Sequence, residues 1–295
     1  MNWLEVRIEI RESQLEALEN QLLELGALAV TLTDSEDHPL LEPGVDQTPL
    51  WPKLTVTGLF PGETKKKPIT NHLNRLSFIQ HASDISFSKL QDQAWERSWM
   101  TRFKTMRFGK NLWIVPSTTA KSEYPSDPEA VIIQLDPGLA FGTGTHPTTA
   151  LCLEWIDAQD FSGKVVIDYG CGSGILAIAA ALKGAKMVYA IDNDPQAILA
   201  TNENARRNNV CSQVIAGMPE LETPPADILL ANILALPLIE MAAQLVGRLK
   251  PHSPIVLSGI LEEQQAQVVA AYRGLCSSID CQSNEEWIRL AAITQ

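Results

Sequence analysis

The sequence predicts an α/β protein whose main part is a doubly wound parallel sheet, preceded by a small α+β domain. In the first third of the chain, apolar and polar residues alternate, as they do in half-buried strands. From Arg107 onward, short apolar runs are separated by helical segments, which is typical of parallel strands covered on both faces. The stretch between these two patterns has aromatic residues at helical spacing. We therefore expect a domain at 1–92, a linker helix at 93–106 and a second domain at 107–295.

The first domain is predicted to have the element order β-α-β-β-α-β of the ferredoxin-like split unit. Its first strand, Trp3–Ile10, alternates apolar and polar residues, and leucines at helical spacing follow it as far as Gly26. Ser13 and Glu16 have the spacing of a capping box at the start of that helix. The other predicted elements are strands at Ala27–Thr33, Leu54–Phe60 and Ile85–Leu90, a helix at Asn71–His81 and a loop at Asp34–Pro52.

The linker helix is defined by an aromatic stripe. Its members are Trp95, Trp99, Phe103 and Met106, and residues 93–110 also hold five cations against one anion. Aromatic residues at this spacing are usually core, so we expect the stripe to pack on a domain. RNA binding by the same stripe is the alternative.

In the second domain, the strands are predicted from short apolar runs, and a helix is predicted to begin near Pro147. The runs are Leu112–Val115, Val131–Leu135, Lys164–Tyr169, Met187–Ile191, Val214–Ala216, Ile228–Ala231 and Ile255–Ser258, followed by Ser278–Gln282 and Trp287–Ile293 without a helix between them.

The composition argues against several classes of protein. With 23 Lys and Arg against 35 Asp and Glu, the net charge of −12 disfavours nucleic-acid binding, which needs clustered cations. The five cysteines form no C-x-x-C pair and the histidines lack ligand spacing, so we expect a reducing compartment and no bound metal. The charged first residues and the Gly- and Thr-rich uncharged stretch Pro137–Leu153 predict neither a signal peptide nor a membrane span. We therefore expect a cytoplasmic protein, with a monomer as the default.

A glycine turn follows the strand that ends near Asp168. Gly170, Gly172 and Gly174 form G-x-G-x-G, whereas a dinucleotide fingerprint reads G-x-G-x-x-G, so a nicotinamide dehydrogenase is disfavoured. Asp192 ends the next strand, where its carboxylate can accept hydrogen bonds from ribose hydroxyls. Asp194, directly before Pro195, is instead expected to cap the following helix. The combination predicts a nucleoside site.

Asn232 lies at the carboxyl end of the fourth strand, the edge of a parallel sheet where ligands bind. Its side-chain oxygen could orient an acceptor nitrogen. This position resembles that of the Asn-Pro-Pro-aromatic motif of many amide and adenine N-methyltransferases, but Ile233 and Leu234 stand here without the prolines or the aromatic residue that stacks on a planar substrate. The difference favours a flexible alkyl amine over a planar base. A strand-end turn residue is the alternative for Asn232.

These motifs resemble class I S-adenosylmethionine-dependent methyltransferases over residues 107–295. The loop Asp136–Thr149 (DPGLAFGTGTHPTT) closely resembles the signature of the ribosomal protein L11 methyltransferase family (PrmA), and this resemblance covers the whole chain. It implies methylation of lysine and N-terminal amines on ribosomal protein L11, with the first domain recognising that substrate.

The resemblance also implies a set of site residues, with S-adenosylmethionine as the cofactor and Asn232 as the catalytic residue. The residues implied to bind the cofactor are Phe141, Thr148, Thr149, Asp168, Gly170, Gly172, Gly174, Asp192 and Asn232. Ala216–Met218 lacks the acid that many methyltransferases offer to adenine, so backbone groups are the expected partners. His146, at the start of a helix, is expected to be structural rather than a base.

Other functions remain open from the sequence. The first is a methyltransferase of the same fold that acts on ribosomal RNA or on a small molecule, because fold does not fix substrate. The second is a noncatalytic ribosome-binding factor, which the glycine turn, Asp192 and Asn232 disfavour.

Overall fold

The structure is a computed structural model that describes residues 2–36, 50–79, 81–91, 104–136 and 144–295. Contacts within the chain divide it into two compact units, Met1–Ser98 and Trp99–Gln295. Most of the predicted linker helix lies outside the described residues, as does the loop 137–143 with Phe141. Among the described residues, no helix combines the length and the apolar composition that a bilayer span requires.

The smaller unit contains one antiparallel sheet and two helices. Its strands are β1 (Asn2–Arg11), β2 (Ala29–Asp34), β3 (Lys53–Pro61) and β4 (Ile85–Gln91), and its helices are α1 (Leu15–Glu24) and α2 (Lys66–Leu73). The sheet order is β2-β3-β1-β4. Alternate residues of β1, from Leu4 to Ile10, are buried in one cluster with Leu18 of α1 and Leu73 of α2. Both helices therefore cover the same face, as in the predicted ferredoxin-like arrangement.

The predicted capping box at Ser13 and Glu16 is wrong. Glu12–Gln14 form a 3-10 turn, and Oε1 of Gln14 accepts a hydrogen bond from the N–H of Arg11 at 2.9 Å. The α-helix begins only at Leu15. The turn therefore precedes the helix, and Ser13 lies within it rather than at the cap position.

The predicted bounds of the second helix, Asn71–His81, are also wrong. α2 begins at Lys66 and ends at Leu73. Pro68 is tolerated there because the first turn of a helix needs no N–H donors. Ile69 and Leu73, four residues apart on one face, are buried in the core. After Leu73 the backbone continues in turns, in which Leu76 donates to the carbonyl of Leu73 and Ile79 to that of Leu76, so the helix ends before the predicted bound.

The larger unit begins with a three-stranded sheet made of β5 (Met106–Phe108), β6 (Leu112–Val115) and β7 (Val131–Gln134). β5 pairs antiparallel with β6, and β6 pairs parallel with β7. Met106, predicted as the end of the linker helix, therefore begins a strand instead.

A seven-stranded sheet forms the rest of the larger unit. Its strands are β8 (Val165–Tyr169), β9 (Met187–Ile191), β10 (Val214–Gly217), β11 (Ile228–Asn232), β12 (Pro254–Leu261), β13 (Cys276–Asn284) and β14 (Trp287–Thr294). The order is β10-β9-β8-β11-β12-β14-β13. The first five strands are parallel to one another, and β14 pairs antiparallel with both β12 and β13.

Helices cover both faces of this sheet. They are α3 (Pro147–Ala158), α4 (Ile175–Leu182), α5 (Pro195–Arg207), α6 (Ala235–Glu240), α7 (Ala242–Gly247) and α8 (Gln265–Tyr272). Residues of α3, α4 and α5 share one buried cluster, and residues of α6, α7 and α8 share another. The consecutive residues Val166 and Ile167 of β8 belong to different clusters, as expected of a strand buried on both faces. The prediction of a doubly wound sheet is confirmed.

Short 3-10 turns complete the described elements at Ala82–Asp84, Lys121–Glu123 and Glu262–Gln264.

The strand order reverses at β8, which pairs with β9 on one side and with β11 on the other. In open α/β sheets, ligands bind where the order reverses, at the carboxyl ends of the strands. Gly170, Asp192 and Asn232 all lie at that edge.

Candidate functional site

The glycine turn joins β8 to α4. Gly170, Gly172 and Gly174 have φ values of 77°, 53° and 79°, which residues with a side chain rarely adopt. At Gly170 the space is restricted as well, because an added Cβ would lie 2.1 Å from Cγ2 of Ile233, the residue after β11. The turn and the end of β11 are therefore packed too closely for any larger residue at Gly170.

Asp168 lies beneath this turn and is fully buried. Its Oδ2 accepts the N–H of Ala177 in α4 at 2.9 Å, while Oδ1 has no hydrogen-bond partner among the described residues. Burial raises the pKa of this carboxyl to about 7; the Ala177 N–H opposes the rise and the charge of Asp192 adds to it. Asp168 therefore stabilises the first turns of α4 through this hydrogen bond. Its carboxyl group gains or loses a proton near neutral pH.

This shift predicts a pH-dependent stability. The ordinary pKa of an aspartate is about 3.9, so between that value and about 7 the folded chain holds a proton at Asp168 that the unfolded chain releases. Stability from this group is therefore lost as pH rises through that window. Asp168→Asn should remove the dependence, with a difference that grows to the order of 4 kcal/mol at pH 7, at about 1.4 kcal/mol per pKa unit. Chemical denaturation between pH 4 and 8 measures it, and parallel pH profiles for the two proteins would contradict it.

Asp192 follows β9 and faces the glycine turn. Its Oδ2 accepts the N–H of Gly172 at 2.9 Å, and its Oδ1 accepts the N–H of Asp194 at 3.0 Å. Asp194 caps α5 by accepting the N–H of Gln196 at 2.8 Å, with Pro195 as the first helical residue. Asp194 thus caps the helix, as expected, whereas Asp192 faces the glycine turn.

Asn232 is the last residue of β11, and its Nδ2 donates to Oγ1 of Thr149 at 3.3 Å. Thr148 and Thr149 are buried in the first turn of α3. His146 caps that helix, with its Nδ1 2.8 Å from Oγ1 of Thr148, and its ring contacts Trp287 edge-on at 4.8 Å between centroids. These contacts agree with the structural role expected of His146.

Two adjoining cavities lie at this edge of the sheet. The smaller has a volume of about 210 Å³ and is lined by the glycine turn together with Thr149, Asp192 and Asn232. The larger has a volume of about 400 Å³. Its lining is mostly apolar and includes Tyr169, Ile191, Pro219, Ile233, Leu234, Pro237 and Met241. Because Asp192 and Ile233 line both cavities, the carboxylate lies where the two cavities meet.

The structure brings most of the predicted site residues together. Thr149, Gly170, Gly172, Asp192 and Asn232 line the cavities. The others are placed around them: Asp168 and Thr148 are buried nearby, Gly174 packs against Thr201, and Phe141 lies outside the described residues.

Sequence reasoning missed the apolar lining. Ile233 adjoins Asn232 and Tyr169 adjoins Gly170, so a search of the residues flanking each motif would have found both. Met241 follows Leu234 and Pro237, which also line this cavity, at the spacing of one helical face, so helical periodicity after Asn232 is the signal that could have found it. Its sulfur lies 3.7 Å from the hydroxyl of Tyr169, which donates to it.

The family model for ribosomal protein L11 methyltransferase (PrmA) matches residues 2–295 of the chain. The chain belongs to this family. Its PrmA relatives include the ribosomal protein L11 methyltransferase of Azotobacter vinelandii, which is 46% identical over 99% of each chain. That of Pseudomonas fluorescens strain Pf0-1 is 48% identical over 98% of each chain.

A solved structure agrees with this PrmA assignment. The ribosomal protein L11 methylase of Lactobacillus delbrueckii subsp. bulgaricus is 33% identical and superposes with a TM-score of 0.60, covering 65% of this chain and 100% of its own. The predicted class I methyltransferase fold is thereby confirmed. The chain shares with this family its sequence as well as its fold, and the family consists of enzymes.

Proposed function

We propose that the chain transfers methyl groups from S-adenosylmethionine to lysine and N-terminal amines of ribosomal protein L11. One observation carries the proposal. A glycine turn, a carboxylate and an asparagine line a single edge of the sheet in a chain whose relatives, nearly half identical over almost their full length, are named ribosomal protein L11 methyltransferases.

The cavities fit S-adenosylmethionine in their chemistry and in the order in which they would receive its adenine, ribose and amino-acid parts. Asp192, at their junction, would accept hydrogen bonds from the ribose hydroxyls. The larger cavity would take the adenine, with backbone groups of Ala216–Met218 as the polar partners that the family resemblance leads us to expect. The smaller cavity would take the amino-acid portion beside Thr149 and the turn. Thr148, Asp168 and Gly174 would support this arrangement from behind, and Phe141 would help to enclose the methyl group.

The bound cofactor supplies a methyl group already activated by the sulfonium. The remaining task is to hold a neutral amine in line with it and to exclude water. An ordinary lysine has a pKa of about 10.4, so deprotonation at pH 7 costs on the order of 4–5 kcal/mol. Burial in an apolar cleft lowers the pKa of an amine and reduces this cost. Asn232, whose side chain faces the smaller cavity, would accept a hydrogen bond from the amine, and water would take the proton.

The division of the chain follows from the same proposal. We infer a substrate-recognition domain at 1–92, a linker helix at 93–106 and a methyltransferase domain at 107–295. The cavity residues and their motifs all lie in the larger unit. The enzyme would act in the cytoplasm as a monomer, on L11 either free or on the large subunit, without reading a nucleic-acid sequence.

Labelled cofactor tests the function directly. The full chain is incubated with methyl-labelled S-adenosylmethionine and, separately, with ribosomal protein L11, ribosomal RNA and small amines. We expect label on the amines of L11. Label confined to RNA or to a small amine would replace the substrate assignment, and no transfer to any fraction would favour a noncatalytic role.

Asp192→Ala should weaken cofactor binding by roughly 1.5–3 kcal/mol, the usual contribution of hydrogen bonds to a charged group. That is about 10- to 150-fold in Kd by calorimetric titration. Asp194→Ala is the matched control, since Asp194 is exposed and caps α5. It should lower the free energy of unfolding by about 1 kcal/mol and leave the affinity unchanged. Equal affinities for the two variants would remove Asp192 from the site.

A further inference from the structure

The strand beside Asn232 contains a β-bulge. β12 pairs with β11 as far as Asn232, which lies opposite Ser258. On the other side of β12, the register with β14 shifts between Leu257 and Ile260. One extra residue is thereby accommodated in β12 at Ser258 and Gly259. Bulges of this kind bend a strand and redirect the chain next to it, and they are common beside active sites.

Gly259 at this bulge packs directly on the backbone of Ile233. It has a φ of 85°, and an added Cβ would lie 2.2 Å from the carbonyl oxygen of Ile233 and 2.8 Å from its carbonyl carbon. The Ile233 side chain meets Gly170 on its other side, where an added Cβ would lie 2.1 Å from Cγ2. Ile233 is therefore confined between two glycines, Gly170 in the glycine turn and Gly259 in the bulge.

We propose that Gly259 is a positioning residue for methyl transfer: the close approach of its backbone to Ile233 determines where Asn232 faces the cofactor cavity. This inference rests on the proposed function and adds to it a residue that lines neither of the two cavities described above. Gly259 contacts Ile233, which lines both cavities and adjoins the asparagine that would hold the amine, and its chain neighbour Ser258 pairs with that asparagine.

The distances indicate a large effect on turnover. Real Cβ contacts are essentially never closer than 3.0 Å, so a side chain at position 259 would displace the Ile233 carbonyl by about 0.8 Å or more. Asn232 would move with its neighbour. Misplacement of a reacting group by about 1 Å costs on the order of 100-fold in rate. Cofactor affinity should change less, because the three nearest atoms to the added Cβ all belong to Ile233 and Asp192 is held by the N–H groups of Gly172 and Asp194.

The test compares Gly259→Ala with Gly163→Ala in the full chain. Gly163 also has a positive φ, 72°, but an added Cβ there meets nothing within 4 Å, so this control carries the backbone strain without the contact. Calorimetry with S-adenosylhomocysteine gives the fraction of competent sites. For ribosomal protein L11, kcat is normalised to that fraction and KM is measured alongside it. For Gly259→Ala we expect unchanged stoichiometry, a Kd raised at most about tenfold and a kcat about 100-fold lower. Gly163→Ala should keep the wild-type kcat.

The outcomes separate this inference from the proposed function. If the wild type does not methylate L11, the proposed function fails. If it does, and Gly259→Ala turns over at the rate of Gly163→Ala, the positioning role is wrong. If Gly259→Ala does not fold, Gly259→Asn replaces it, because asparagine adopts positive φ more easily while keeping the Cβ. Failure of both variants to fold, with Gly163→Ala intact, would assign Gly259 to folding and overturn the proposal.

Discussion

Asn232→Ala is expected to slow methyl transfer by about 100-fold or more while the protein stays folded. The rate should fall because the variant has no side-chain oxygen to hold the neutral amine in line with the methyl group, and lost alignment alone costs on the order of 100-fold. The melting temperature should stay within a few degrees, since the hydrogen bond from Asn232 to Thr149 is long, at 3.3 Å.

Asn202→Ala provides the matched control for this substitution. Asn202 is exposed on α5, where its side chain donates to the carbonyl of Ile198 in the same helix. Both variants lose one amide, but only Asn232 faces the cavity. Kinetics with labelled cofactor and differential scanning calorimetry measure the two effects. Normal turnover by Asn232→Ala would make Asn232 only a strand-end turn residue.

Removal of the first domain is the second change with a large expected effect. A fragment lacking residues 1–92 should bind S-adenosylmethionine within about twofold of the full chain but methylate ribosomal protein L11 with a kcat/KM about 100-fold lower, because a second binding module commonly raises overall affinity by that factor or more. The fragment must include Met106, since β5 begins there and a start at Arg107 would shorten it. Fragments beginning at Lys104 and at Gln93 satisfy this condition.

The cofactor titration is the internal control for these fragments. A fragment that binds the cofactor normally is folded, so its methylation rate then reports on substrate recognition alone. If either fragment modifies L11 at the full-length rate, the first domain is not the recognition module. Loss of cofactor binding would instead show that the first domain supports the fold of the second.

The site residues on local motifs could be predicted because each motif fixes its own geometry. Gly170 follows a strand directly, and Asp192 and Asn232 each lie at a strand's carboxyl end, so the topology of a parallel sheet brings them to one edge. The apolar runs likewise predict the strands of the larger sheet, because burial on both faces requires continuous apolar sequence.

The remaining features depend on contacts between distant segments. Gly259 is required only because the backbone of Ile233 approaches it. The predicted bounds of the helix near Asn71 are wrong because two apolar residues, Ile69 and Leu73, are too few to define where a helix begins and ends. Their burial against the sheet defines the helix instead. The capping prediction failed because a 3-10 turn satisfies the same backbone groups.

The reversal of strand order at β8 has a consequence for the order of events in folding. β11 pairs with β8 across about 60 residues of intervening chain, whereas β9 pairs with β8 across about 20. Non-local pairing forms late because loop closure costs entropy before contacts compensate for it. The cavities need Asn232 and Ile233 beside the glycine turn, so they exist only after that late pairing. Recovery of cofactor affinity during refolding therefore marks the closing of the sheet's centre, later than the helical signal of α4 and α5.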